Sequence, residues 1–206
     1  APRGLATLEA VLGYCGAELR VWDQGRWCEQ YGWAAPRVVR FARLAPRLGA
    51  LCDIPDLELF PARYRVTQSV SFRAALEVRA AQHAFALLAW LRRHGLLARP
   101  ERLARLLHRA APLLDRFGSA LGGMAVRVDG IDAAGRAARR AWHIAADHDH
   151  GPEIPCLAAI LLARRLARGD ALPVGAMACM GLLKLAEFEP EFARWGMVFD
   201  RVDEPA

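Results

Sequence analysis

The sequence predicts an α+β fold, with a mixed, largely antiparallel sheet and helices packed against it. Residues 124–129 and 136–147 each alternate apolar and polar side chains around a glycine-containing turn, which is typical of a β-hairpin. Residues 74–94 and 155–168 carry apolar side chains at helical spacing, and each segment is followed by a glycine. Strands and helices do not alternate as βα units, which favours α+β over a doubly wound sheet.

The remaining elements follow from local patterns along the chain. Residues 5–13 predict a short helix that ends at Gly13, and residues 19–29 predict a hairpin that turns at Gly25. Three prolines within residues 45–62 favour a loop there. The other predicted strands are at 38–41, 64–72 and 197–202. Two further helices are predicted, one that begins at Pro100 and one over residues 182–195.

Composition places the chain among globular proteins. It has 206 residues, of which 54% are hydrophobic and 24% are charged, and this excludes an intrinsically disordered chain. We expect residues 1–206 to form a single α+β domain. The net charge is +6, and because Lys184 is the only lysine, 27 of the 28 basic residues are arginines. These arginines are spread along the chain and not clustered among aromatics, so we expect no nucleic-acid partner.

The cysteines indicate the redox state of the cellular compartment, and the apolar segments indicate whether the chain could span a membrane. Five cysteines, an odd number without any Cys-x-x-Cys pair, predict neither a disulfide framework nor a structural zinc site. A reducing, cytoplasmic compartment fits best, with the cysteines as small buried apolar residues. The longest apolar segments, residues 84–91 and 154–163, fall short of the ~20 residues of a membrane span, so we expect no membrane partner.

The first candidate site is the polar segment of residues 147–155, which contains two histidines and three carboxylates. Its spacing is poor for a metal, and a polar loop that joins a strand to a helix is the favoured interpretation. A weaker functional interpretation remains. His150 and Glu153 lie in the loop that ends at the N-terminus of the predicted helix, whose free N–H groups suit a substrate carboxylate or phosphate.

The second candidate site consists of Arg127, Arg139 and His143. By alternation these side chains fall on the polar faces of two paired strands. Arginine holds carboxylates with two parallel hydrogen bonds, so this face could seat an acidic substrate. The alternative is an exposed sheet face with cross-strand ion pairs. Met124 and Trp142 are predicted to lie in the core.

Five segments together resemble a known family. The first is Arg20-Val21-Trp22 together with residues 23–27, and the others are residues 65–77, 118–130, 151–155 and 175–188. The third contains Gly122-Gly123-Met124, and the fourth is Gly151-Pro152-Glu153-Ile154-Pro155. In this order they resemble the C-terminal part of bacterial saccharopine-dehydrogenase-like oxidoreductases, over roughly residues 5–192.

The resemblance implies a function that this chain shares with a partner domain. Members of the family carry a Rossmann domain that binds NAD or NADP, followed by an α+β domain that covers the substrate site and often mediates dimerisation. No glycine-rich dinucleotide motif occurs here, so we expect this chain to bind no cofactor and to transfer no hydride alone. We expect a homodimer, because residues 84–91 are apolar on most sides, and no catalytic residue is assigned. The alternative is a non-catalytic module that binds a small ligand or a protein.

Overall fold

The computed structural model describes residues 4–204, with the side chains of 114, 115 and 204 left out. The predicted α+β class is confirmed. Within the described range the chain forms six α-helices and eight strands, and every strand pairing is antiparallel. The strands lie in three small sheets, of two, three and three strands, and not in one sheet. The chain divides into two compact units.

Unit 1 comprises Ala1–Val39 and Pro46–Ser119. Its elements are α1 (Leu5–Tyr14), β1 (Glu18–Asp23), β2 (Arg26–Tyr31), β3 (Arg37–Val39), β4 (Arg47–Leu51), α2 (Asp56–Tyr64), β5 (Arg73–Ala75), α3 (Arg79–Arg93), a 3₁₀ turn (Pro100–Leu103) and α4 (Ala104–Asp115). The predicted hairpin is present as β1–β2. Its two turn residues, Gln24 and Gly25, both have positive φ, as a two-residue type I′ turn requires.

The main core of unit 1 lies between α1, α3 and the end of β4. Leu12, Trp33 and Phe85 are almost fully buried in it, and the rings of Trp33 and Phe85 lie 4.6 Å apart. A second cluster joins Leu19 and Val21 of β1 to α2. Helix α3 is amphipathic, not buried on all sides, because Leu87 and Trp90 on its other face are 57% and 50% exposed.

Unit 2 comprises Arg40–Ala45 and Ala120–Ala206. Its elements are β6 (Gly122–Ile131), β7 (Ala137–Ala146), α5 (Glu153–Ala167), α6 (Leu185–Arg194) and β8 (Val198–Glu204). Strand β7 lies between β6 and β8. Ile144 packs with Leu157 of α5 and Phe192 of α6, so the helices cover one face of this sheet.

Two sequence predictions fail between residues 45 and 72. The predicted loop at 45–62 contains β4 and α2, because β4 pairs with both β3 and β5 and α2 begins after Pro55. The predicted strand at 64–72 is irregular, apart from one bridge between Val70 and Trp22. The Trp22 indole Nε1–H donates to the Val66 carbonyl at 2.9 Å, which ties this segment to β1 in place of a regular ladder.

The prediction that Met124 belongs to the core is wrong. Trp142 does pack into the core of unit 2, with its ring 5.9 Å from that of Phe192. Met124 is on the same face, since it pairs with Ile144, but its side chain is 37% exposed. It lies on the edge strand β6, and the helices pack over β7 and leave it partly uncovered.

The cysteines divide into two environments, which gives a test of the fold. Cys15 is fully buried and donates to the Phe85 carbonyl at 3.2 Å. Burial raises the pKa of the Cys15 thiol to about 12, against a smaller opposing effect of Arg92. Cys52 is also buried, whereas Cys156 and Cys179 are exposed. The expectation of small buried cysteines therefore holds for two of the five, since Cys28 is only partly buried.

We expect a thiol reagent at neutral pH to label Cys156 and Cys179 quickly, and Cys15 and Cys52 only in denaturant. Reactivity follows the thiolate fraction and access, and both are low at Cys15. Peptide mass spectrometry after timed labelling measures the rate at each cysteine. Equal rates at Cys15 and Cys156 in the native protein would contradict the packing of α1 against α3.

No helix among residues 4–204 combines the length and the apolar character that crossing a bilayer requires.

Candidate functional site

Arg127, Arg139 and His143 lie on one face of the β6–β7–β8 sheet. The register pairs Arg127 with Ala141, and residues directly opposite each other in an antiparallel pair share a face. Asp129 pairs with Arg139 in the same way, two residues after Arg127 on β6 and two residues before Ala141 on β7. We call this surface the arginine face. The opposite face carries Trp142 and Ile144 and meets the helices, as the alternation predicted.

Both arginines of this face have partners within the fold. The Arg139 guanidinium forms an ion pair with Asp129, the residue directly across the ladder. Arg127 Nη2 donates to the backbone carbonyl of Arg40 at 2.5 Å. The Arg139–Asp129 pair is of the cross-strand kind that the sequence left open as an alternative, whereas the partner of Arg127 lies outside the sheet.

The centre of the face is a buried histidine beside an ion-paired carboxylate. His143 is 5% exposed, and it pairs across the ladder with Asp200 of β8. The Arg43 guanidinium donates two hydrogen bonds to that carboxylate, from Nε to Oδ2 and from Nη2 to Oδ1, both 2.8 Å long. These bonds hold the pKa of Asp200 below its usual range, with smaller contributions from the charges of Arg43 and His143.

The segment Arg40–Ala45, which we call the strap, crosses the arginine face. It contacts β6 through the Arg40 carbonyl and β8 through Arg43. Its Leu44 side chain packs over Gly123, where an added Cβ would lie 2.7 Å from Leu44 Cδ1 and 2.4 Å from the Ile144 carbonyl oxygen. Because glycine has no side chain, position 123 leaves room for Leu44 of the strap.

His150 and Glu153 lie elsewhere in unit 2. The His150 Nδ1–H donates to the Trp195 carbonyl at 3.1 Å, which fixes the loop before α5 to the end of α6. Glu153 is the first residue of α5, where a carboxylate suits the helix dipole. This loop passes β6 at Gly122, five residues and about 17 Å of strand from Arg127. The five predicted site residues therefore form two separate groups.

The polar segment before α5 is a tight turn. His148 and Asp149 have positive φ, and Asp149 N–H donates to the Ala120 carbonyl at 3.0 Å. The His148 side chain is 81% exposed, and its Nε2 lies 3.6 Å from an Asp147 carboxylate oxygen. Among the residues that the structure describes, no three His, Cys, Asp or Glu side chains come together as a metal site.

Sequence reasoning missed Arg43 and Asp200. Arg43 lies 157 residues from its partner, in a segment without periodicity, so no local pattern pointed to it. Asp200 could have been found by pairing the predicted strand at 197–202 with β7. Alternation then places Asp200 on the same face as His143.

Compared with protein-family models and with curated proteins, the chain matches none of them.

The Arg43–Asp200 pair predicts a defined acid sensitivity. Because the folded-state pKa of Asp200 is lowered from its ordinary value near 3.8, its contribution to stability is complete above that value. The contribution is lost as the pH falls through the lowered pKa. We expect Asp200→Asn to destabilise the protein near neutral pH, and the difference from wild type to shrink below about pH 4.

Urea unfolding from about pH 3 to pH 7 measures this difference. Asp203→Asn is the matched control, because Asp203 is on the same strand with a side chain 87% exposed. Wild type and Asp200→Asn losing stability in parallel over the whole range would refute the role given to the ion pair.

Proposed function

We propose that this chain is the substrate-binding and dimerisation domain of a saccharopine-dehydrogenase-like, NAD(P)-dependent oxidoreductase. The observation that carries the proposal is where the resembling segments lie. Residues 20–27 lie within the β1–β2 hairpin, residues 118–130 contain all of β6 except Ile131, and residues 151–155 include the start of α5. Three of the five resembling segments therefore fall on regular elements of the fold.

The glycines of these segments have structural roles that support the proposal. An added Cβ on Gly122 would lie 3.0 Å from Gly151 Cα, so the two backbones meet where β6 begins. Gly123 admits the Leu44 side chain of the strap. Two glycines of the third segment and one of the fourth therefore serve the same assembly of strap, sheet and loop.

In this proposal the arginine face provides the substrate-binding surface. Arg127 and Arg139 are held in place by their partners, and a small carboxylate-bearing substrate is the class of ligand that suits guanidinium groups. The exposed Leu87 and Trp90 of α3 form a surface for a further domain to cover, and the nucleotide-binding domain of the same protein is the partner that we propose. A reducing cytoplasm agrees with the buried free thiols of Cys15 and Cys52.

The test compares residues 1–206 with the product of the complete reading frame that encodes them. Each is titrated with NADH and with NADPH, and binding is followed by calorimetry. We expect micromolar binding by the complete protein and none by residues 1–206. Micromolar binding by residues 1–206, or no dinucleotide binding by the complete protein, would overturn the proposal.

One observation favours the alternative, a non-catalytic binding module. His143, at the centre of the arginine face, is only 5% exposed, and both arginines make contacts within the fold. The Arg127→Met variant of the complete protein distinguishes the oxidoreductase from the non-catalytic module. In an oxidoreductase it raises the KM for the substrate, whereas in a non-catalytic module there is no turnover to change.

A further inference from the structure

The sheet of unit 2 has two edge strands, β6 and β8, and they differ in character. Four of the seven residues of β8 are charged: Asp200, Arg201, Asp203 and Glu204. Only Arg127 and Asp129 are charged among the ten residues of β6, which has neither lysine nor proline. Natural edge strands are protected from further pairing by such residues. Within the described part of the chain, no strand pairs with the outer edge of β6.

Exposed apolar side chains on and beside β6 are arranged symmetrically about Val126. Val126 is 44% exposed, and Met124 and Val128, two residues away on either side, are 37% and 63% exposed. Leu121 and Ile131, five residues away on either side, are 45% and 77% exposed. All of the exposed large hydrophobic residues from 121 to 131 belong to this symmetric set.

From this symmetry we infer that β6 forms the interface of a homodimer, which we call the seam. In it, β6 of a second copy pairs antiparallel with β6 of the first about a two-fold axis at Val126. An antiparallel pair centred on one residue places residues at equal distances on either side opposite each other. Met124 of one copy then faces Val128 of the second copy, and Leu121 faces Ile131 of the second copy. At the axis, the two Val126 side chains face each other. The two three-stranded sheets become one six-stranded sheet, and its apolar residues meet across the seam.

The charges of β6 fit the same register. Arg127 faces Ala125 of the second copy and Asp129 faces Gly123, so no like charges are directly opposite and the small residues leave room. The two charges of the strand sum to zero, in a chain whose net charge is +6, so repulsion between copies is small at this edge.

A pairing centred on Val128 matches less well, because it would place Val126 opposite Gly130 and Met124 opposite Asp132. Of the exposed apolar residues on and beside β6, which we call the apolar stripe, only Val128 would then meet another member of the stripe. The seam rests on the dimerisation proposed above and is independent of whether the complete protein binds a dinucleotide.

Sedimentation equilibrium in reducing buffer at micromolar concentrations tests the seam. We expect the wild-type mass to rise with concentration from 22.7 kDa toward that of a dimer. Val126→Arg places two like charges face to face at the axis and should raise the dimer dissociation constant at least about tenfold. Val174→Arg is the matched control, since Val174 is 99% exposed and outside the seam, and it should dimerise like wild type.

A cross-linking variant provides a second measurement that does not depend on the arginine variant folding. Val126→Cys, with Cys156 and Cys179 replaced by serine, places two thiols across the axis at the Cα separation of a disulfide. Mild oxidation should join two chains, and Val174→Cys in the same background should not do so.

Three outcomes would overturn the seam: a mass of 22.7 kDa for wild type at every concentration, undiminished dimerisation of Val126→Arg, or no cross-link in Val126→Cys. In the second case dimerisation itself would stand, through another surface. Dinucleotide titration of the complete protein reports separately on the oxidoreductase proposal.

Discussion

Replacement of Gly16 by alanine is expected to lower the free energy of unfolding by roughly 2–5 kcal/mol, combining a left-handed backbone penalty with overpacking. Gly16 follows α1 with φ +70°, and an added Cβ would lie 2.5 Å from the Ala89 carbonyl oxygen of α3. The obstacle is backbone, which cannot rotate away as a side chain can. The Gly16 N–H also donates to the Gly32 carbonyl at 2.9 Å, so a shift would strain that bond too. Urea unfolding of the two proteins measures the difference.

Gly95 provides a matched control for this substitution. It has nearly the same backbone angle, φ +72°, but an added Cβ there would have no neighbour within 4 Å. Gly95→Ala should therefore lose only the backbone penalty, about 1–2 kcal/mol. The excess loss in Gly16→Ala measures the close packing of the end of α1 against α3. Equal losses in the two variants would show that the two backbones are not in contact.

Leu157→Ala is expected to have a comparable effect in unit 2, about 2–5 kcal/mol. Leu157 is fully buried and packs with Ile144, Phe192 and Met197, so truncation removes contacts on several sides and leaves a cavity. Urea unfolding gives the size of the loss. Faster hydrogen exchange in the peptides of β7 and α5 should locate it in this unit.

Leu166 is the control for Leu157. It is on the same helix, α5, and is 62% exposed, so Leu166→Ala has the same change in composition and helix propensity. We expect a change within about 0.5 kcal/mol. A loss in Leu166→Ala as large as that in Leu157→Ala would mean that the face of α5 that meets the sheet has been assigned incorrectly.

The hairpin of β6 and β7 shows what a sequence pattern can establish. Alternation over residues 124–129 and 136–147 predicted two paired strands and placed Arg127, Arg139 and His143 on the face opposite Trp142. Side-chain direction in a strand depends only on the parity of residue numbers, so this part of the candidate site was accessible from the sequence. The ion pair that occupies Arg139 was left open, because alternation does not determine which residue lies opposite.

The segment 45–62 shows where local reasoning failed. Its prolines favoured a loop, yet β4 forms there because β3 and β5 pair with it from either side. The pairing with β5 is not visible in the local sequence, since β5 lies more than twenty residues after β4. The helix α2 includes Pro61, a residue that normally ends helices, and Pro61 is buried in the fold. Packing outweighed local propensity in both elements.

The sequence by itself determined the α+β class, the β1–β2 and β6–β7 hairpins, the presence of helix α5 and the shared face of Arg127, Arg139 and His143. All of these depend on side chains close together in the chain, through periodicity, turn glycines and helix ends. Only the tertiary structure decided that the strap covers that face, that Arg43 reaches Asp200 across 157 residues, and that the apolar stripe of β6 remains exposed. These features depend on which segments meet after folding, and a local pattern carries no information about contacts between distant residues.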